Sequence, residues 1–81
     1  MDIFPVICVA NTLRRLRAEG QLTQQQLAER LARPQSFVSK LERGERHLRL
    51  DEVFPYAAAL GIEPTRLMDE LIEEAKRLTM R

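Results

Sequence analysis

A run of polar side chains on one short predicted helix is the part of this sequence that could recognise a ligand. Val38 and Leu41 lie three positions apart and can face a hydrophobic core, so their polar neighbours point largely elsewhere. The neighbours carry amide, hydroxyl, ammonium and guanidinium donors, which suit hydrogen bonding to polar edges and to anions. They are Gln35, Ser36, Ser39, Lys40 and Arg43.

Two short helices joined by a tight turn are predicted to position these donors. Thr23 with Gln26 three residues later matches a capping box and starts the earlier helix. Pro34 disfavours helical geometry at the residue before it, so the earlier helix ends there. A second helix follows and ends near Gly44. Residues 23–43 therefore form a helix pair that can present a helix end to duplex DNA.

The charge distribution agrees with a nucleic-acid partner, although the net charge is only +1. Residues 12–49 hold nine Lys or Arg and four Glu, a balance of +5, whereas residues 50–81 hold four basic and seven acidic residues, a balance of −3; Asp2 contributes the remaining −1. The basic excess lies in the half that contains the helix pair, which favours a surface facing phosphates.

Composition indicates one small domain without catalytic or cofactor chemistry. An 81-residue chain with four aromatic residues and no Trp has room for one core but not for a large ligand cavity. A lone Cys8 and a distant His47 offer neither a metal-ligand set nor a nucleophile with its base. We expect no cofactor, no metal and no enzymatic activity; a nucleic-acid enzyme is a remote alternative because paired carboxylates with metal-site spacing are missing.

The flanking sequence predicts three more helices. Residues 1–8 read as an apolar N-terminal extension that is too short to span a membrane, and we expect a cytoplasmic protein. A first helix then carries Val9 and Leu13 at helical spacing and ends at Gly20. A fourth helix stops at Gly61, and Pro55 requires it to start late or to bend.

The fifth predicted helix, residues 65–78, carries an apolar stripe that is wide for so small a protein. Such a stripe suggests that a second chain covers part of it. The alternative is that the helix only completes the core of its own domain. The candidate dimer contacts are Leu67, Met68, Leu71 and Ile72.

Over roughly Ala10 to Met68 the chain resembles the lambda-repressor-like, or XRE, family of helix-turn-helix regulators. The resemblance rests on three segments in this order: LRRLRAEGQLTQQQLAERLA, QSFVSKLERGER and AAALGIEPTRL. In size it is similar to restriction-modification controller proteins and small phage repressors. The resemblance implies an all-α, compact five-helix domain spanning residues 1–81, with the helix-turn-helix formed by helices 2 and 3.

The resemblance also assigns roles to individual positions. The residues matching base-reading positions are Gln35, Ser36 and Lys40, with Ser39 between them; Gln suits adenine and Lys suits guanine. The candidate phosphate contacts are Gln24, Arg33, Arg43, Arg46 and Arg49. Phe37 could contact a thymine methyl or cover the edge of the core. Two departures from the family pattern are Ala32, where Gly is common in the turn, and Pro34, which replaces a polar cap.

These observations predict a homodimer that binds double-stranded DNA at an inverted repeat and regulates transcription, including that of its own gene. Occupying a promoter would block RNA polymerase, whereas sitting beside it could recruit polymerase as a partner, and the sequence leaves both alternatives open. The alternative is an antitoxin-type interaction module that covers a toxin and binds DNA secondarily.

Overall fold

The computed structural model describes residues 4–79, which fold into five α-helices and, in that range, no strand. The helices are α1 (Phe4–Glu19), α2 (Gln24–Leu31), α3 (Gln35–Glu42), α4 (Val53–Leu60) and α5 (Pro64–Thr79). A 3-10 turn, Leu50–Glu52, precedes α4. The expected five-helix all-α fold is confirmed. No helix in the described range is long and apolar enough to cross a membrane.

Helix α1 begins earlier than the sequence pattern indicates. The pattern predicts that residues 1–8 precede the first helix, but from Phe4 onward they form its first turns; residues 1–3 lie outside the described range. Pro5 is compatible with this start because the first backbone N–H groups of a helix have no intrahelical acceptor. Cys8 and Ala10 are buried, so this end of α1 is part of the packed structure.

Helix α2 begins and ends as its sequence predicts. The Thr23 hydroxyl accepts a hydrogen bond from the Gln26 N–H at 3.0 Å, and the Gln26 side chain accepts one from the Thr23 N–H at 2.9 Å. At the other end Ala32 is left-handed, with φ 56° and ψ 41°. A Cβ-bearing residue is strained in this region by about 1 kcal/mol.

Helix α3 starts directly after an extended Pro34, whose side chain supplies no cap. It ends at Glu42, and Gly44, two residues further along the chain, has φ 73°. The Glu45 N–H donates to the Lys40 carbonyl at 2.8 Å, which satisfies a carbonyl at the helix end. A Cβ on Gly44 would lie 3.3 Å from Cγ1 of Val6, so the early start of α1 brings this helix against the end of α3.

The core is formed by all five helices. Each of them contributes at least one fully buried large apolar side chain: Leu13, Leu27, Val38, Leu41, Tyr56 and Leu67. Burial raises the pKa of the Tyr56 hydroxyl, which therefore stays protonated in the interior. Pro55 falls in the first turn of α4, where the preceding 3-10 turn lets the helix start late, as its position in the sequence requires.

Candidate nucleic-acid interface

Helix α3 presents a polar face because its apolar residues anchor it to the core. Val38 and Leu41 are completely buried, and Phe37 is only 8% exposed. The predicted base-reading side chains Gln35, Ser36 and Lys40 are exposed; they lie on the outward face of the helix. The fourth candidate, Ser39, is half-buried.

A chain of side-chain hydrogen bonds joins the N-termini of α2 and α3. The Gln35 amide donates to Oε1 of Gln24 at 3.3 Å, and the Gln24 amide donates to Oε1 of Glu42 at 3.1 Å. Gln24 is half-buried and sits at the first position of α2. The candidate phosphate contact Gln24 therefore lies next to a candidate base-reading residue, and the two are positioned together.

A buried ion pair fixes the same corner to α1. Arg17 donates to both carboxylate oxygens of Glu42, at 2.7 Å and 3.0 Å, and to the Leu22 carbonyl at 2.8 Å. Hydrogen bonding to Glu42 is the main cause of the raised pKa of Arg17. Arg14 donates to the Glu42 carbonyl at 2.8 Å. No sequence pattern indicates this role for Glu42, since two of its side-chain partners are 25 and 18 residues away along the chain.

Phe37 is a platform for two arginines. The guanidinium carbon of Arg33 lies 4.0 Å from the centre of the ring, and that of Arg46 lies 4.6 Å from it. Contacts of this kind stabilise by about 0.5–2 kcal/mol each. Because the ring is buried and covered by guanidinium groups, it closes the edge of the core and is not presented as a contact for a thymine methyl.

Around this ring lies an open basic cleft of about 400 Å³. It is lined by Arg33, Pro34, Ser36, Phe37, Lys40, Glu45 and Arg46. Candidate base-reading and candidate phosphate-binding residues thus share one surface, and Glu45 alone among these lining residues is acidic. We call the surface formed by Gln24, Gln35 and these cleft residues the α3 face.

Three of the predicted phosphate contacts are ion-paired within the chain. Arg43 pairs with Glu45 at 3.0 Å, Arg46 with Glu52 at 2.8 Å, and Arg49 with Asp51 at 3.1 Å. Hydrogen bonding to Arg46 is the main reason that the pKa of Glu52 is lowered. Neither Lys40 nor Arg33 forms an ion pair with any residue in the range 4–79.

The candidate dimer surface on α5 needs one correction. Leu67 is completely buried in the core of its own chain, so it cannot contact a second copy. Met68 and Leu71 are half-buried and pack against the same core, whereas Ile72 is 46% exposed. The most exposed large apolar side chains of the described range are elsewhere: Leu50 is 74% exposed and Phe54 is 60% exposed.

The fold and the α3 face define a class of protein: DNA-binding transcription regulators of the helix-turn-helix type. The sequence profile of the family described as "Helix-turn-helix domain" matches residues 9–71, and the chain belongs to this family. Its identification as an XRE-like regulator similar to restriction-modification controller proteins is confirmed. No curated protein matches the sequence.

Solved structures of controller proteins are similar to this chain. The controller protein C.AhdI from Aeromonas hydrophila is 35% identical, with a TM-score of 0.70, 76% of this chain covered and 94% of that one. The C.Esp1396I controller tetramer in complex with its natural 35 base-pair operator is 24% identical, with a TM-score of 0.82 and coverages of 89% and 95%, a likeness of fold. The clp gene regulator ClgR from C. glutamicum is 25% identical, with a TM-score of 0.77 and coverages of 85% and 90%.

Proposed function

We propose that this protein binds a specific double-stranded DNA site through the α3 face and regulates transcription there. The observation that carries the proposal is the orientation of α3. Its buried Val38 and Leu41 hold the helix in place, while Gln35, Ser36 and Lys40 remain exposed. An amide and an ammonium on a helix in the major groove can distinguish adenine and guanine edges from the others.

Specific binding requires two copies of the chain. One eight-residue helix reads only a few base pairs, whereas two copies related by a two-fold axis read half-sites about one helical turn (~34 Å) apart. The site is therefore an inverted repeat. Assembly on DNA is supported by the similar controller protein C.Esp1396I, whose tetramer was solved with its operator.

We assign the two-fold contact to the exposed edge of α5. Ile72 is the most exposed large apolar side chain of this helix, and the half-buried Met68 and Leu71 flank it. An isologous contact pairs this patch with its own copy, which removes apolar surface from water on both chains. Leu67 lies beneath the patch and supports it from the core.

Transcription is controlled by where the dimer sits. Occupying a promoter blocks polymerase, and occupying an adjacent site allows a contact with polymerase instead. Similarity to restriction-modification controller proteins supports a regulatory role, and the proposed targets include the protein's own gene. The proposed role contains no catalytic step, requires no cofactor and places the protein in the cytoplasm with the DNA it regulates.

Selection from random duplex DNA tests the proposal directly. The protein is incubated with a randomised duplex library, bound fragments are recovered over several rounds, and the enriched sequences are aligned. We expect an inverted repeat with half-site centres about one helical turn apart. If circular dichroism shows that the protein is folded and yet no sequence is enriched, the protein does not recognise a specific DNA sequence.

An interaction module, such as an antitoxin that covers a toxin, is favoured by a different observation. Leu50 and Phe54 are both strongly exposed and lie four residues apart, on the 3-10 turn and in the first turn of α4. If the α5 edge forms the dimer, this apolar pair is left over for another protein. A dimer that selects no DNA sequence but binds a toxin encoded beside its gene would establish this alternative.

A further inference from the structure

The segment that follows α3 carries alternating charges, and each of its arginines pairs with a carboxylate of the same segment. Arg43 donates to both oxygens of Glu45, at 3.0 Å and 3.1 Å. Arg49 donates to Asp51 at 3.1 Å, and Arg46 donates to both oxygens of Glu52. The arginines that are expected to contact phosphates are therefore already paired with carboxylate side chains of the same chain.

The three pairs differ in how firmly they are held. In the Arg43–Glu45 pair the side chains are 57% and 53% exposed, and in the Arg49–Asp51 pair they are 70% and 68% exposed. In the Arg46–Glu52 pair they are only 30% and 15% exposed. Exposed ion pairs are weak because water competes for both partners, so the first two pairs can open and the third resists opening.

Further contacts hold the Arg46–Glu52 pair in place. Arg46 also donates to the His47 carbonyl at 2.8 Å and stacks on Phe37. Glu52 also accepts a hydrogen bond from the Arg49 N–H at 2.9 Å, which caps the 3-10 turn before α4. This pair therefore fixes the loop between α3 and α4, and its separation would disturb the fold.

Of the three paired carboxylates, Glu45 is the one that lines the basic cleft. Its side chain lines the basic cleft together with Ser36 and Lys40, on the α3 face. A DNA phosphate offers Arg43 the same bidentate acceptor geometry as a carboxylate, and it carries its own negative charge. A phosphate that binds Arg43 must displace Glu45, which then remains close to the charged backbone.

We propose that Glu45 and Asp51 act as internal counterions of the DNA-binding surface: phosphates displace them from Arg43 and Arg49, so these two carboxylates lower the affinity for DNA. The inference depends on the proposed DNA-binding function and adds affinity-determining residues to it. Arg46 and Glu52 stay paired in the complex.

The test compares Glu45→Gln with Glu63→Gln, which makes the same change of charge and shape at an exposed position in the loop between α4 and α5. That loop lies at the opposite end of α2 from Gln24: Arg30, near the C-terminus of α2, donates to the carbonyl of Ala59, near the C-terminus of α4. Binding of both variants to the selected duplex and to random duplex is measured by fluorescence anisotropy over a range of salt concentrations.

We expect Glu45→Gln to bind both duplexes about three- to ten-fold more tightly than the Glu63→Gln control, because a displaced carboxylate no longer repels the backbone. The plot of log affinity against log salt should become steeper by about one unit, as for one more phosphate contact. Asp51→Asn should act in the same direction. Equal affinities and slopes for Glu45→Gln and Glu63→Gln would overturn the inference.

A third variant tests whether the Arg46–Glu52 pair stays closed in the complex. Glu52→Gln should lower the thermal midpoint without strengthening DNA binding, and a gain in affinity equal to that of Glu45→Gln would overturn the structural role of the Arg46 pair.

If the wild-type protein binds no duplex at any salt concentration, the proposed function fails and the inference fails with it. Tight wild-type binding with an inert Glu45→Gln contradicts the inference alone.

Discussion

Lys40 and Arg43 lie three residues apart on the same stretch of chain, yet the structure gives them different environments. Lys40 is exposed in the basic cleft and has no ion-pair partner in the described part of the chain. Arg43 follows the last helical residue and is bound to Glu45. An ammonium on the helix face can reach base edges, whereas a guanidinium at the helix end can reach the backbone.

This difference predicts opposite signatures on DNA. Lys40→Ala should cost about 1–3 kcal/mol on the selected duplex and much less on random duplex, because a base contact is lost. The matched control, Arg43→Ala, should weaken binding to both duplexes alike, since backbone contacts carry no sequence information. Binding isotherms on both duplexes provide the measurement. Equal losses for Lys40→Ala on the two duplexes would show that it does not read bases.

The outward direction of the exposed base-reading candidates could be predicted from the sequence. It depends only on the helical spacing of Val38 and Leu41, which fixes the side of α3 that faces the core. The side chains of Gln35, Ser36 and Lys40 are left on the other side and are exposed in the structure. A local pattern is sufficient here because the helix and its buried face lie within eight residues.

The contacts that hold this helix in place could not be predicted in the same way. The Arg17–Glu42 pair joins residues 25 positions apart, and only the packing of α1 against α3 brings them together. Likewise, nothing in the local pattern shows that Arg33 and Arg46 approach the ring of Phe37. Interactions of this kind depend on how the helices pack, which the spacing of apolar residues does not specify.

In the turn between α2 and α3, an alanine occupies a backbone conformation that favours glycine. Ala32 adopts φ 56° to end α2, and its N–H donates to the Glu29 carbonyl at 3.1 Å. Glycine adopts this conformation without steric cost, whereas a Cβ meets the following carbonyl. The turn therefore holds about 1 kcal/mol of strain directly before α3.

Ala32→Gly should raise the free energy of unfolding by up to about 1 kcal/mol, since relief of the left-handed strain exceeds the added freedom of the unfolded chain. Gly61→Ala is the reverse control. Gly61 has φ 79°, and a Cβ added there would meet no atom of the described residues within 4 Å, so only backbone strain should lower the stability of this variant. Urea denaturation measures both; a less stable Ala32→Gly would mean that strain is not the dominant effect there.

Pro34 predicts the turn, and the strained position is Ala32, where the family that the chain resembles commonly has Gly. The helix pattern places the start of α1 too late because the deciding interactions are tertiary. Cys8 donates to the Leu71 carbonyl at 3.2 Å, 63 residues away in sequence, and Val6 packs near Gly44. An apolar segment that contains a proline has no local feature that announces these contacts.

For the whole molecule, the assignment of the two-fold contact follows from which apolar residues the fold leaves exposed. Ile72→Asp should convert the proposed dimer to a monomer in sedimentation without unfolding the chain, because the side chain is already 46% exposed. Phe54→Asp is the control at the other exposed apolar site. A monomer produced only by Phe54→Asp would move the interface from α5 to α4.

Acid should destabilise the molecule through two carboxylates of α5, which accept hydrogen bonds from side chains of α1 and of α5 itself. Hydrogen bonding to Arg77 lowers the pKa of Glu74, and Arg15 similarly lowers the pKa of Glu70. These carboxylates stabilise the fold fully above their ordinary pKa of 4.5, and the stabilisation is lost as the pH falls through the lowered values. The urea concentration at the midpoint of unfolding should decrease as the pH is lowered below 4.5. This decrease should be smaller for Glu74→Gln than for the exposed control Glu73→Gln.

The thiol of Cys8 gives this packing a natural reporter. It is buried, donates to a backbone carbonyl of α5, and has a pKa raised mainly by burial. Thiolates, not thiols, react with alkylating reagents, so the folded chain resists modification. Labelling with iodoacetamide proceeds only when α1 parts from α5, and its rate therefore records how often the two ends of the chain separate.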